Sequence, residues 1–118
     1  MKKTFIFEDQ NFVLFEQYQW VWLEDKKTKI KNHLVNLNIG QKKEGFFNKK
    51  TKKFIDETII TGKIDNLEIH DGLRYLKRRT DSEEMQRAYI DYCAKRKQEI
   101  EDNWAFVQVF KTLQDKEF

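Results

Sequence analysis

The sequence predicts a single α+β domain: an N-terminal antiparallel sheet of about four to six strands, followed by two or more helices packed on it. Three observations carry this expectation. The chain has 118 residues, a usual length for one domain and too short for two. β-Prone runs separated by turn formers fill residues 1–70, whereas helix formers dominate residues 71–118 and Gly72 is the last glycine. Strands grouped before helices give an α+β arrangement, since a parallel sheet needs the two to alternate.

Thr4 to Glu8 is a short β-prone run closed by Asp9, Gln10 and Asn11, residues that favour turns. From Phe12 to Leu23 a period of two fits better than a helical wheel, so a long strand is expected, bent near Glu16 and Gln17. That reading puts Phe12, Leu14, Tyr18, Trp20 and Trp22 on one side, taken as the core side, and leaves Gln17 and Gln19 facing solvent. After the polar stretch from Glu24 to Lys29, Ile30 to Ile39 resumes the β pattern as the return of a hairpin. Phe46 and Phe47 lead through lysine-rich residues 48–53 into Phe54 and Ile55, the outline of a second hairpin. Thr58 to Thr61 and Lys63 to Ile69 are read as a further strand pair.

Helices follow. Asp81, with Glu84 three residues later, has the pattern of a capping box. Met85, Ala88, Tyr89, Tyr92, Cys93, Arg96 and Ile100 then recur at helical spacing, a mostly apolar face. Phe106, Val109, Phe110 and Leu113 repeat the spacing, so Trp104 to Asp115 is read as helix, set off by a break at Asp102 or Asn103.

Charge limits the function classes. The 23 basic and 20 acidic residues leave a formal charge of +3, less one-sided than a dedicated duplex-DNA binder. Of the basic residues 18 are Lys and 5 are Arg, which suits diffuse phosphate contacts better than bidentate base reading. One cysteine cannot form an internal disulfide, which points to a reducing, cytoplasmic location. No run approaches the ~18 apolar residues of a membrane span, and the N-terminal apolar segment is shorter than a signal peptide requires.

Catalytic motifs are scarce. His33 and His70 lack metal spacing, and paired cysteines and a glycine-rich phosphate loop are absent from the sequence. Cofactor and metal sites are therefore not expected. Glu24-x-Lys26 with Asp9 faintly resembles the carboxylate and lysine set of a Mg²⁺-dependent nuclease, a triplet that chance supplies readily in so charged a chain.

The expected function is stoichiometric surface contact with a protein partner, as an inhibitor from a phage or mobile element, an immunity protein or an adaptor would use. The expected contact residues are Lys49, Lys50, Lys52 and Lys53 at the hairpin tip and Lys77, Arg78 and Arg79 ahead of the capping box. The alternative is a nucleic-acid-binding module using the lysine tips and releasing counterions. Lysines also solubilise turns and block edge-to-edge pairing of strands. Tyr18, Trp20 and Trp22 offer an aromatic row for stacking or docking, although such a row more often builds a core. Cys93 shares the apolar helical face, so a thiol reagent should label it rapidly only after denaturation; fast labelling of the native protein would place it outside the core.

Overall fold

The computed structural model describes residues 2–38, 40–60 and 62–115, and within these leaves aside the side chains of 41–44, 46, 55–60, 114 and 115. The chain runs β1 (Thr4–Glu8), β2 (Phe12–Gln17), β3 (Trp20–Asp25), β4 (Lys31–Asn36), β5 (Gln41–Asn48), β6 (Lys53–Ile60), α1 (Asn66–Arg79) and α2 (Glu83–Asp115). β1 to β4 form a four-stranded antiparallel sheet in sequence order, and β5 and β6 pair separately. An α+β fold is therefore confirmed. Ile39 and Thr61, at the ends of two expected strands, lie outside the described residues.

Several elements differ from expectation. Phe12 to Leu23 is a hairpin, not one strand: Tyr18 and Gln19 adopt φ of 56° and 66° and reverse the chain in two residues, with Gln17 opposite Trp20. Positive φ at both central positions is the backbone of a type I′ turn. Lys63 to Ile69 is not a strand, because Asp65 accepts the Leu67 N–H at 2.8 Å and starts α1 at Asn66. The α2 cap is Ser82, whose Oγ accepts the Met85 N–H at 3.2 Å, in place of Asp81. No break occurs at Asp102 or Asn103, and α2 continues for 33 residues, about 50 Å of helix. The molecule's long axis is 61 Å.

Local side chains close the other hairpins. Asp9 Oδ1 accepts the N–H groups of Asn11 and Phe12, each at 2.8 Å. Asp25 Oδ1 accepts those of Lys27 and Thr28, and the Lys29 N–H bonds the Asp25 carbonyl. Asn48 Oδ1 does the same for Lys50 and Thr51, with Lys52 N–H on the Asn48 carbonyl. The loops read Asp-Lys-Lys-Thr-Lys and Asn-Lys-Lys-Thr-Lys, and each places its last lysine at positive φ, 65° for Lys29 and 56° for Lys52. One turn has been used twice.

The core lies between one face of the four-stranded sheet and both helices. Leu14, Val21, Leu23, Leu34 and Val35 from the sheet meet Leu76, Met85, Tyr89 and Cys93 from the helices. Register explains the selection: Leu14 lies opposite Leu23 and Val21 opposite Val35, and directly paired residues share a face. Tyr89 is fully buried, and its hydroxyl donates to the Ile69 carbonyl at 2.9 Å, which satisfies the one polar atom this ring carries inward. At the edge of this layer Glu16 accepts from Tyr92 Oη at 2.7 Å and from Arg96 Nε at 2.8 Å, fastening α2 to β2. Burial and the Glu16 carboxylate raise the Tyr92 hydroxyl well above the usual phenol range.

A second fastening joins α2 to the base of the β5–β6 hairpin. Gly62, at φ 74°, lies against the Trp104 ring, and a Cβ there would come within 2.6 Å of it. Glu101 Oε2 accepts the Ile64 N–H at 2.9 Å. Burial tends to raise the Glu101 pKa, but this N–H and the Lys97 ammonium outweigh it and hold the carboxyl below its ordinary value.

Gly72 of α1 faces both Tyr89 and β4. A Cβ at this position would meet the Tyr89 hydroxyl and lie 2.7 Å from the Leu34 carbonyl oxygen. In an open helix, Gly→Ala gains up to about 1 kcal/mol from propensity. Here overpacking, at about 1 to 3 kcal/mol, has the opposite sign and wins. Gly72→Ala should accordingly lower the urea midpoint of unfolding, and an unchanged or higher midpoint would contradict this packing.

Candidate functional site on the helix-free face of the sheet

The β2–β3 turn decides which side chains face away from the helices. Because Gln17 pairs with Trp20, residues 20 and 22 share a face with 13, 15 and 17, and residues 21 and 23 share one with 12, 14 and 16. Trp20 and Trp22 therefore leave the core side to which a continuous strand would assign them, and Val21 and Leu23 replace them there. Tyr18 sits in the exposed turn. The expected aromatic row exists with different members and on the opposite face.

Across that face the register aligns Phe5 with Phe15, Phe15 with Trp22, and Trp22 with His33, so one aromatic or imidazole ring comes from each strand. Trp20 extends the group along β3. The Trp20 and His33 ring centroids are 4.7 Å apart, Trp22 and His33 5.8 Å, and Trp20 and Trp22 6.5 Å. The Trp22 indole N–H donates to the Gln17 carbonyl at 3.3 Å, fixing that ring. Phe5 is 66% exposed, His33 is exposed, and both tryptophans are half-buried. Phe15, by contrast, is covered, with the ammonium groups of Lys3 and Lys31 lying 4.6 and 5.9 Å from its ring centroid. Both helices pack on the other side of the sheet.

The lysines singled out from sequence are distributed elsewhere. Lys49, Lys50 and Lys52 occupy the exposed β5–β6 tip, and Lys53 opens β6. Beside them Phe47 pairs with Phe54, both rings exposed. The side chains of Lys42 and Lys43 lie outside the described residues. Lys77, Arg78 and Arg79 form the last turn of α1, where positive charge complements the helix dipole. Arg79 also lies 3.8 Å from the Asp25 carboxylate and over the Phe12 ring at 5.9 Å. The Thr28 and Lys27 amides, with Arg79 contributing less, hold the Asp25 carboxyl below its usual range.

The Asp9, Glu24 and Lys26 set is engaged locally. Asp9 closes its turn, Glu24 lies 3.8 Å from Lys31, and Lys26 pairs with Glu8 at 2.6 Å. Among the described residues no group of three or more His, Cys, Asp or Glu is arranged to hold a metal ion, and no helix is long and apolar enough to cross a membrane. Cys93 is buried, and burial pushes its thiol up to about 12. The Phe106, Val109, Phe110 and Leu113 face of α2 is helical as expected, but it is exposed, not packed.

Compared with known proteins, the chain matches no family model, and no curated protein or solved structure is significantly similar to it.

Exposed charges of this kind contribute about 1 kcal/mol or less each. Replacing Lys49, Lys50, Lys52 and Lys53 together with Glu should therefore shift the melting temperature little. A large drop in a thermal melt would show that the tip supports the fold.

Proposed function

We propose that the protein is a non-catalytic binding protein, acting in the cytoplasm by stoichiometric surface contact, and that the helix-free face of its sheet is the contact surface. The observation that carries this reading is the row of rings from Phe5 to His33, one per strand, on the side no helix covers. A half-solvated antiparallel sheet ordinarily turns polar residues outward; here Phe5 and His33 are exposed and Trp20 and Trp22 half-exposed around a covered Phe15, and exposed apolar surface gathered in this way marks an interaction site. Aromatic anchors also supply much of the binding energy in macromolecular interfaces. The lysines of the separate β5–β6 tip lie apart from this face and contribute longer-range charge that speeds encounter without setting the lifetime of the complex.

The test is affinity capture from the cells that encode the protein, with three baits. The wild type and the variant with Lys49, Lys50, Lys52 and Lys53 changed to Glu should retain the same partner, the variant with a slower association rate. A Phe5→Glu, His33→Glu double variant with an unchanged melting temperature should lose it. Equal retention by all three would move the binding surface off the sheet.

A further inference from the structure

We infer that the helix-free face binds single-stranded nucleic acid, stacking bases on its aromatic row. This identification of the partner rests on the preceding assignment of the face as the binding surface. Two features separate nucleic acid from a protein partner. Lysine is depleted at the cores of protein interfaces, yet Lys3 and Lys31 hold their ammonium groups over Phe15, inside the row. Counting Glu8, Glu24, Lys3, Lys26 and Lys31, the face and its rim carry one positive charge in excess, with Glu8 held by Lys26 and Glu24 by Lys31. Cations interleaved with flat rings match a chain of phosphates carrying flat bases.

Geometry sets the size and form of the ligand. Adjacent strands are about 4.8 Å apart, so the row spans roughly 14 Å, and the rings open to a ligand are Phe5, His33 and the half-buried Trp22, with Phe15 covered beneath the two lysines. A four-stranded sheet with aromatics in such a row accommodates about two or three unstacked bases. Duplex bases are already stacked on one another and are not available to these rings. Stacking is tolerant of sequence because every base has a π face, and the low Arg content agrees with a site that does not read base edges.

The experiment is fluorescence anisotropy of the full-length chain with labelled oligothymidylate, oligouridylate, a duplex of equal length and an abasic oligomer of equal charge. The two single strands should bind, one more tightly than the other if the 2′-hydroxyl is read, while the duplex and the abasic oligomer bind much more weakly. Phe5→Ala and His33→Ala, both at exposed positions, should each weaken binding about 5-fold to 100-fold, with Phe5→Tyr retaining it. The Lys3→Gln, Lys31→Gln variant should flatten the slope of log affinity against log salt by about 1.4, because each phosphate that a lysine neutralises on a single strand adds about 0.7 to that slope. Equal binding of the abasic and base-bearing oligomers, or indifference to Phe5→Ala and His33→Ala, overturns the inference. If no oligonucleotide binds but Phe5→Glu, His33→Glu abolishes capture of a cellular protein, the inference fails and the surface assignment stands. If that variant also captures normally, both fail.

Discussion

The seating of Tyr89 against Gly72 governs how the layers meet. A fully buried ring on α2 passes its hydroxyl to the Ile69 carbonyl of α1, and the absence of a side chain at Gly72 lets α1 approach the Leu34 carbonyl of β4. Three elements converge on one atom-sized notch. Interiors pack like organic crystals, so displacement here would propagate through Leu76, Met85 and Cys93. With both helices drawn to one side of the sheet, the aromatic rings on the other side are left without a helical cover.

The Glu16 clamp extends that arrangement to the edge. Arg96 Nε and Nη2 approach the two Glu16 carboxylate oxygens at 2.8 and 3.3 Å, with Tyr92 as a third donor. Such charge-assisted bonds are stronger than neutral ones and directional. They orient α2 about its own axis, where apolar contacts alone would permit rotation. Beyond Trp104 no comparable fastening is visible among the described residues, and the exposed Phe106 to Leu113 face reflects that change.

Much of the helical half was legible because its signal is periodic. The Met85, Tyr89, Tyr92, Cys93 face follows helical spacing and is held by the sheet and α1, so its pattern survives into the structure. The β2–β3 turn was not legible because its two central residues are Tyr18 and Gln19, and the usual Asn-Gly signature of positive φ is absent. One unseen turn reversed the parity of every residue after it, exchanging Trp22 with Leu23 between core and surface. The Gly72 notch was equally silent in sequence, since a glycine at the boundary between the β-prone and helical halves reads as punctuation. The Phe5, Phe15, Trp22, His33 row depends on register across four strands, which spacing along the chain does not encode. Alternation within β1 and β4 offers only a partial signal, weakened by the irregularities after Phe5 and Val21.

The duplicated Asx-Lys-Lys-Thr-Lys loop bears on how the chain finds this fold. It closes β3 onto β4 within the main sheet and β5 onto β6 outside it, with the same side-chain acceptor and the same left-handed lysine. A turn that takes one shape in two tertiary settings is specified by its own residues. Such hairpins form on the microsecond scale, before distant segments meet, and successive hairpins in sequence order keep contacts local, which favours rapid folding. The contacts of Tyr92 and Arg96 with Glu16, by contrast, span 76 and 80 residues of chain, so closing them costs more loop entropy than any hairpin of the sheet.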